Sequence, residues 1–124
     1  MTAAGDVTTE ELAARLGESG LVLLDVRSPA EYEGTLGAPC DPRQGHIPGA
    51  RLLELSELLG LSPEQLQAAV GVAPGVEVIA YCHSGSRSQV AVAALRSAGY
   101  VARNYVASWH AWSRDASLPA ETGR

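Results

Sequence analysis

The segment CHSGSR, Cys82 to Arg87, places a cysteine between an apolar run and a region expected to be helical. In a strand-to-helix turn of this kind, backbone N–H groups converge and the helix dipole adds positive potential, which together form a site for an anion. A thiolate there is stabilised, so we expect a lowered pKa and a nucleophilic sulfur for Cys82 at neutral pH. Gly85 permits the bend. The predicted binding residues follow the cysteine directly: His83, Ser84, Gly85, Ser86, Arg87 and Ser88.

Other residues are candidates for supporting this loop rather than reacting. Asp25 and Arg27 end an apolar strand, where we expect the carboxylate to accept loop N–H bonds and the arginine to pair with an acid such as Glu31. His46 is expected to hydrogen-bond the turn rich in Gly and Pro that contains it, and Trp109 is expected to pack in the core.

The three histidines, His46, His83 and His110, have no metal-ligand spacing and no cysteine cluster beside them in the sequence. The sequence therefore predicts no metal site. All nine basic residues are arginine, which excludes lysine-dependent chemistry such as Schiff-base formation, pyridoxal phosphate anchoring and a Walker-type phosphate loop. We predict no cofactor.

The elements that must position these residues alternate along the chain. Apolar runs predict strands at residues 21–27, 50–55, 76–82 and 101–106. Helical patterns, with caps at Thr8 or Thr9, Ser28 and Ser62, predict helices within residues 8–20, 28–34, 62–71, 86–100 and 107–115. This alternation predicts an α/β fold in which helices flank both faces of a central parallel sheet, with ligands at the carboxyl ends of the strands. The length suits one domain, residues 1–124.

The number and distribution of charged residues indicate which kinds of partner to expect. The net charge of −5 argues against nucleic acid. Residues 1–77 carry four Arg against twelve acids, whereas residues 78–124 carry five Arg against two acids, so the half with Cys82 is expected to favour a small anion.

Location is inferred from what the sequence lacks. It has no basic and apolar leader and no apolar run of membrane length, so neither secretion nor a membrane is expected. With two cysteines, the expected compartment is the cytoplasm and the thiols are expected to be free.

Four segments together resemble the rhodanese-like sulfurtransferases. CHSGSRS at residues 82–88 resembles the family's active-site loop, and LLDVRSPAEY at 23–32 is similar to its Asp-x-Arg segment. GHIPGA at 45–50 matches a second hallmark letter for letter. RNYVASWHAW at 103–112 is similar to the closing segment of the catalytic half of tandem thiosulfate sulfurtransferases. There Val106 and Ala107 replace the usual Asp-Gly, which leaves a family role for that turn in doubt.

The resemblance implies a rhodanese-like fold and a sulfur relay. The Cys82 thiolate would take the outer sulfur of thiosulfate, or of a similar anionic donor, as a persulfide and pass it to cyanide or a thiol in a ping-pong reaction. Four residues separate Cys82 from Arg87, one fewer than in the related phosphatases, which disfavours phosphate chemistry. Basic residues beside the cysteine weakly favour thiosulfate over mercaptopyruvate. The resemblance also allows Trp109 to line the pocket.

Two alternatives remain open. The chain is either such an enzyme or a persulfide carrier that passes sulfur to a protein partner without turnover. A thiol redox sensor is the other alternative, because Cys40 lies in the long loop at residues 33–44 and would form a disulfide with Cys82 if their Cα atoms lay within about 7 Å.

Overall fold

A four-stranded parallel sheet forms the centre of the molecule. The computed structural model describes residues 5–124. The first four residues of the predicted domain, on which the expectation of no leader partly depends, lie outside the described residues. The strands are β1 Leu21–Asp25, β2 Arg51–Leu52, β3 Glu77–Tyr81 and β4 Val101–Asn104, in the order β2-β1-β3-β4. Every neighbouring pair is parallel, which confirms the predicted α/β class.

In the described part of the chain, six helices connect and cover these strands: α1 Thr9–Arg15, α2 Pro29–Glu33, α3 Leu55–Leu59, α4 Pro63–Val70, α5 Ser86–Ser97 and α6 Ser108–Trp112. The predicted caps are confirmed. Thr8 accepts a hydrogen bond from the Glu11 N–H, and Ser28 and Ser62 each form a complete capping box. Such side chains satisfy backbone donors that a first helical turn leaves without a partner.

One predicted strand was wrong in its extent. The strand predicted for residues 50–55 pairs only at Arg51–Leu52, and α3 begins at Leu55. The chain still follows β1 for a few residues, because Leu53 N–H donates to the Asp25 carbonyl at 2.9 Å. Leu55 and Leu58 then lie three residues apart, so a helical turn places both on the inner side, where Leu58 is buried and Leu55 packs against the core.

Two hydrophobic clusters lie on the sheet because alternate strand residues point to opposite faces. One contains Leu24, Val78 and Ala80 with residues of α3, α4 and α5. The other contains Leu23, Ile79 and Tyr81 with residues of α1, α2 and α6. Helices therefore cover both faces, as predicted. Among residues 5–124, none of the helices has the length and apolar character needed to cross a bilayer.

Candidate active site

Cys82 follows the last residue of β3 and is fully buried. The Gly85 N–H donates to its Sγ at 3.1 Å, and the Ser88 Oγ lies 3.4 Å from the same sulfur. Burial raises the pKa of the Cys82 thiol, but the hydroxyl of Ser88 and the N–H groups of Ser88, Ser84 and Gly85 more than offset it, so the pKa is lowered overall. The direction is the one expected for an activated nucleophile.

Gly85 gives the loop its shape. Its φ of +98° is left-handed, and a Cβ there would lie 2.7 Å from the Val106 carbonyl oxygen. The Asn104 side-chain N–H donates to the Gly85 carbonyl at 3.2 Å, which orients the peptide next to the cradle. Sequence analysis missed Asn104, and the only signal for it was its position at the end of the fourth strand.

Residues at the start of α6 also form hydrogen bonds with the backbone of Cys82. Ser108 Oγ accepts from the Cys82 N–H at 3.1 Å, and the Trp109 N–H donates to the Cys82 carbonyl at 3.0 Å. The His110 N–H donates to the His83 carbonyl at 2.9 Å. The turn that departs from the family pattern at residues 106–107 therefore still leads into a segment that fixes the nucleophile. The sequence analysis did not identify Ser108 as a site residue, because its residue type alone gave no signal.

Trp109 supports this region from within the core. Its side chain is fully buried, and its indole N–H donates to the Arg43 carbonyl at 3.0 Å. The ring also lies 5.2 Å from the guanidinium carbon of Arg27. Core packing was the expected role, and the fully covered side chain does not line an opening.

Asp25 and Arg27 form a buried pair at the carboxyl end of β1. The two side chains approach to 2.7 Å, and Asp25 also accepts from the Arg27 backbone N–H at 3.0 Å. Arg27 then donates to the Gly45 carbonyl at 2.6 Å, which ties the GHIPGA turn to the sheet. The expected loop N–H bond is present, but the expected partner of Arg27 was wrong: the acid is Asp25, not Glu31.

Glu31 instead binds Arg87, through two hydrogen bonds of 2.9 and 3.1 Å. Burial raises the pKa of Glu31, but Arg87 and the Ser28 N–H outweigh it and lower that pKa to about 2. The pKa of Arg87 is raised, first by Glu31 and to a lesser extent by the charge of Cys82. Arg87 is thus near the thiol, although a carboxylate balances its charge.

The two histidines predicted near the site, His46 and His83, contact different parts of the structure. His46 stacks on Tyr32 with ring centres 3.7 Å apart, and its Nδ1 lies 2.7 Å from the Tyr32 carbonyl oxygen. It is buried, but its side chain contacts Tyr32 in α2, so the expected hydrogen bond from His46 to the turn that contains it was wrong. The side chain of His83 instead reaches the long loop, where its Nε2 lies 2.8 Å from Asp41 Oδ2.

Ligating atoms of Cys40, Asp41 and His110 lie within 4.8 Å of one another. Sequence spacing gave no sign of this group, because folding joins Cys40 and Asp41 to His110 from a distant part of the chain. The guanidinium of Arg114 already contacts this group, at 2.8 Å from Asp41 Oδ1 and 3.2 Å from His110 Nδ1. A metal ion would have to displace this cation, so we assign the cluster to the arginine.

A cleft of about 590 Å³ reaches the cysteine loop from one side. Its walls include Ser84, Gly85 and Ser86 from the loop, and Asn104 and Val106 from the segment opposite. The cleft therefore opens beside the backbone of this loop, and Cys82 is not one of its lining residues.

Comparison with known proteins shows what this arrangement is similar to. The Rhodanese-like domain family matches residues 8–115. A probable 3-mercaptopyruvate sulfurtransferase of Pseudomonas aeruginosa is 39% identical over 122 residues, which cover 90% of this chain and 43% of the relative. The sulfur carrier protein TtuD of Thermus thermophilus is 31% identical over 134 residues, covering 95% of this chain and 46% of the relative.

Among solved structures, the crystal structure of a probable thiosulfate sulfurtransferase superposes with a TM-score of 0.80 and is 47% identical. The match covers 94% of this chain and 47% of that one. The chain thus spans less than half the length of the relatives it matches.

Proposed function

This chain belongs to the rhodanese-like domain family, and we propose that it is a sulfurtransferase whose nucleophile is Cys82. The observation that carries the proposal is the 3.1 Å hydrogen bond from the Gly85 N–H to the Cys82 sulfur, within a loop that lowers the thiol pKa. Such a site both generates a thiolate and has donors in place for the anionic persulfide that follows.

In the first half-reaction, the Cys82 thiolate attacks the outer sulfur of a donor such as thiosulfate. The S–S bond of the donor breaks, sulfite leaves with the electron pair, and the transferred sulfur remains on Cys82 as a persulfide anion. The N–H groups at Ser84, Gly85 and Ser88 support this charge. The second half-reaction transfers the sulfur to cyanide or to a thiol.

Thiosulfate is the donor we propose, and mercaptopyruvate is the alternative. The relatives include proteins named for each substrate. Arg87 lies beside the loop but is neutralised by Glu31, which weakens the argument from basic residues. The backbone cradle remains the main attraction for a small dianion. Asp25, Arg27, His46 and Trp109 are proposed to support the loop without touching the donor.

A persulfide carrier that passes sulfur to a protein is the second candidate, because a relative named as a sulfur carrier aligns over 95% of this chain. Enzyme and carrier share the Cys82 persulfide and differ in the acceptor. Steady-state turnover with thiosulfate and cyanide separates them: sustained turnover supports the enzyme, and a single loaded sulfur without turnover supports the carrier.

The test of the shared step is the intact mass after incubation with thiosulfate. Wild type should gain one sulfur atom, and Cys82→Ser should gain none while keeping its circular dichroism spectrum. Cys40→Ser is the matched control, because Cys40 is exposed and should not carry the persulfide. Absence of the added sulfur in wild type, or its presence in Cys82→Ser, would refute the assignment.

The same two variants test the redox alternative. If Cys40 and Cys82 formed a regulatory disulfide, mild peroxide would remove two hydrogens from wild type and not from Cys40→Ser. We expect no such loss, because Cys82 is buried against the cradle, whereas Cys40 is exposed.

A further inference from the structure

A histidine-carboxylate pair, His83 and Asp41, lies next to Cys82 in the sequence and is not explained by binding of the donor. Asp41 is in the long loop before β2, and its side chain is fully covered. One of its oxygens lies 2.8 Å from His83 Nε2, and the other accepts from Arg114 at 2.8 Å. His83 follows Cys82 directly, so their Cα atoms are about 3.8 Å apart.

The partners of Asp41 determine which nitrogen of His83 carries the proton. A carboxylate accepts hydrogen bonds and does not donate them, so the ring proton is on Nε2. The lone pair of a neutral ring is then on Nδ1, and no hydrogen bond joins Nδ1 to any other residue within 5–124. A quarter of the His83 side chain is exposed, so an incoming molecule can reach it.

The charged and titratable groups around His83 come from two segments. Asp41 is the direct partner, and Arg114 holds the other oxygen of that carboxylate in place. The His110 ring packs edge-on, with ring centres 5.4 Å apart. The arrangement is that of a base oriented by a buried acid, which is how enzymes hold an imidazole for proton transfer.

We propose that His83, positioned by Asp41, is the general base for a thiol acceptor in the second half-reaction. This inference rests on the sulfur-transfer function proposed above. A free thiol has a pKa near 8.5 and is mostly protonated at neutral pH, whereas the attacking species is the thiolate.

In the second half-reaction, His83 Nδ1 takes the proton of the acceptor thiol, and the acceptor sulfur attacks the outer sulfur of the Cys82 persulfide. The Cys82 S–S bond breaks, and its electron pair stays on the Cys82 sulfur, where Gly85 N–H stabilises the thiolate. The acceptor leaves as a persulfide anion, and His83 returns the proton to water. No external oxidant or reductant is needed.

The test isolates the second half-reaction. Protein loaded with sulfur from thiosulfate and freed of donor is mixed in single turnover with either glutathione or 2-nitro-5-thiobenzoate. Glutathione is mostly protonated at pH 7, whereas the nitroaryl thiol is already ionised. His83→Gln should slow transfer to glutathione about 100-fold, the effect typical of losing a general base, and should change transfer to the nitroaryl thiol only a few-fold. Asp41→Asn should also slow transfer to glutathione selectively, but less severely than His83→Gln does.

Raising the pH gives a second readout that a structural role would not produce. Glutathione ionises without help above pH 9, so the defect of His83→Gln should shrink there. Ser97→Ala is the control, since it changes an exposed side chain at the far end of α5, and it should leave the ratio of the two rates unchanged.

The outcomes separate this inference from the proposed function. If His83→Gln slowed both thiols equally, or if its defect were independent of pH, His83 would only shape the loop and the inference would be wrong. Failure of wild type to load sulfur would instead refute the proposed function, and intact mass measures that step independently.

Discussion

The reactivity of Cys82 depends on a balance between burial and hydrogen bonds. The sulfur is fully covered, and burial alone would raise the thiol pKa. The lowered pKa therefore comes from a few donors at Ser88, Ser84 and Gly85. Because these contributions oppose a large penalty, loss of one donor should be visible in the titration of the thiol.

Ser88→Ala tests this balance. Removing the hydroxyl 3.4 Å from Sγ should raise the pKa of Cys82, since a hydrogen bond to a charged group contributes roughly 1.5 kcal/mol or more. The measurement is the pH dependence of the rate of Cys82 alkylation by iodoacetamide in the Cys40→Ser background. The midpoint should move to higher pH.

Ser97→Ala is the control for this change, because it alters an exposed serine at the other end of α5. Its midpoint should match that of the parent protein. An unchanged midpoint in Ser88→Ala would show that the backbone N–H groups alone set the thiol pKa.

Local elements were predictable because their determinants are close in sequence. The capping boxes at Ser28 and Ser62 and the loop from Cys82 to α5 follow from residues three to five positions apart. The helix α3, with the sequence LSELL, was missed because so short an apolar run fits both a strand and a helical turn, and only packing of Leu58 against the core selects the helix.

The loop that follows the proposed nucleophile Cys82 was recognisable in the sequence, but the contacts that support this loop were not. Glu31, the acid suggested for Arg27, pairs with Arg87 instead, because Glu31 lies 56 residues before Arg87 and no local pattern links them. The Asn104 bond to Gly85 and the contact of His83 with Asp41 likewise join distant segments. Pairings of this kind depend on the tertiary arrangement of strands and loops, which residue spacing does not specify.

At the scale of the element, the loop geometry depends on one left-handed residue. Gly85→Ala adds a Cβ 2.7 Å from the Val106 carbonyl and strains a φ of +98°. The loop must shift, so its N–H should no longer point at the sulfur. Loss of one donor of this kind lowers rates by about 100-fold, and we expect that decrease in persulfide formation from thiosulfate.

Gly99→Ala separates this effect from instability. Gly99 follows α5, has a φ of +95°, and would bring a Cβ 3.3 Å from Pro74. Both variants should lose about 1–2 kcal/mol of folding free energy through the left-handed conformation, but only Gly85→Ala should lose sulfur loading. Equal rates for the two variants would show that the position of the Gly85 N–H is not important.

Across the whole molecule, folding pairs arginines of the basic part of the sequence with acids of the acidic part. Among residues 5–124, at least four arginines after residue 77 pair with acids from before residue 78: Arg87 with Glu31, Arg103 with Glu11, Arg114 with Asp41 and Arg124 with Glu33. These pairings weaken the argument that the excess of arginine in residues 78–124 favours a small anion. Attraction of an anion to the site depends on the loop N–H groups and the α5 dipole instead.

The same pairing, together with the shared sheet, leads us to propose that residues 1–124 fold as one domain. The clusters on the two faces use alternate residues of the same strands, such as Val78 and Ile79 in β3, so neither face can keep its packing if the sheet separates.

Leu95→Ala tests directly whether the two faces unfold together. Leu95 is fully buried on one face, and both tryptophans are on the other. The substitution should cost about 2–5 kcal/mol, as for other buried leucines. Denaturant unfolding of this variant, followed by tryptophan fluorescence and by far-ultraviolet circular dichroism, should show both midpoints lowered by the same amount. A fluorescence midpoint that stayed at the wild-type value while the dichroism midpoint fell would mean that the two faces unfold independently, and the proposal of a single cooperative domain would be wrong.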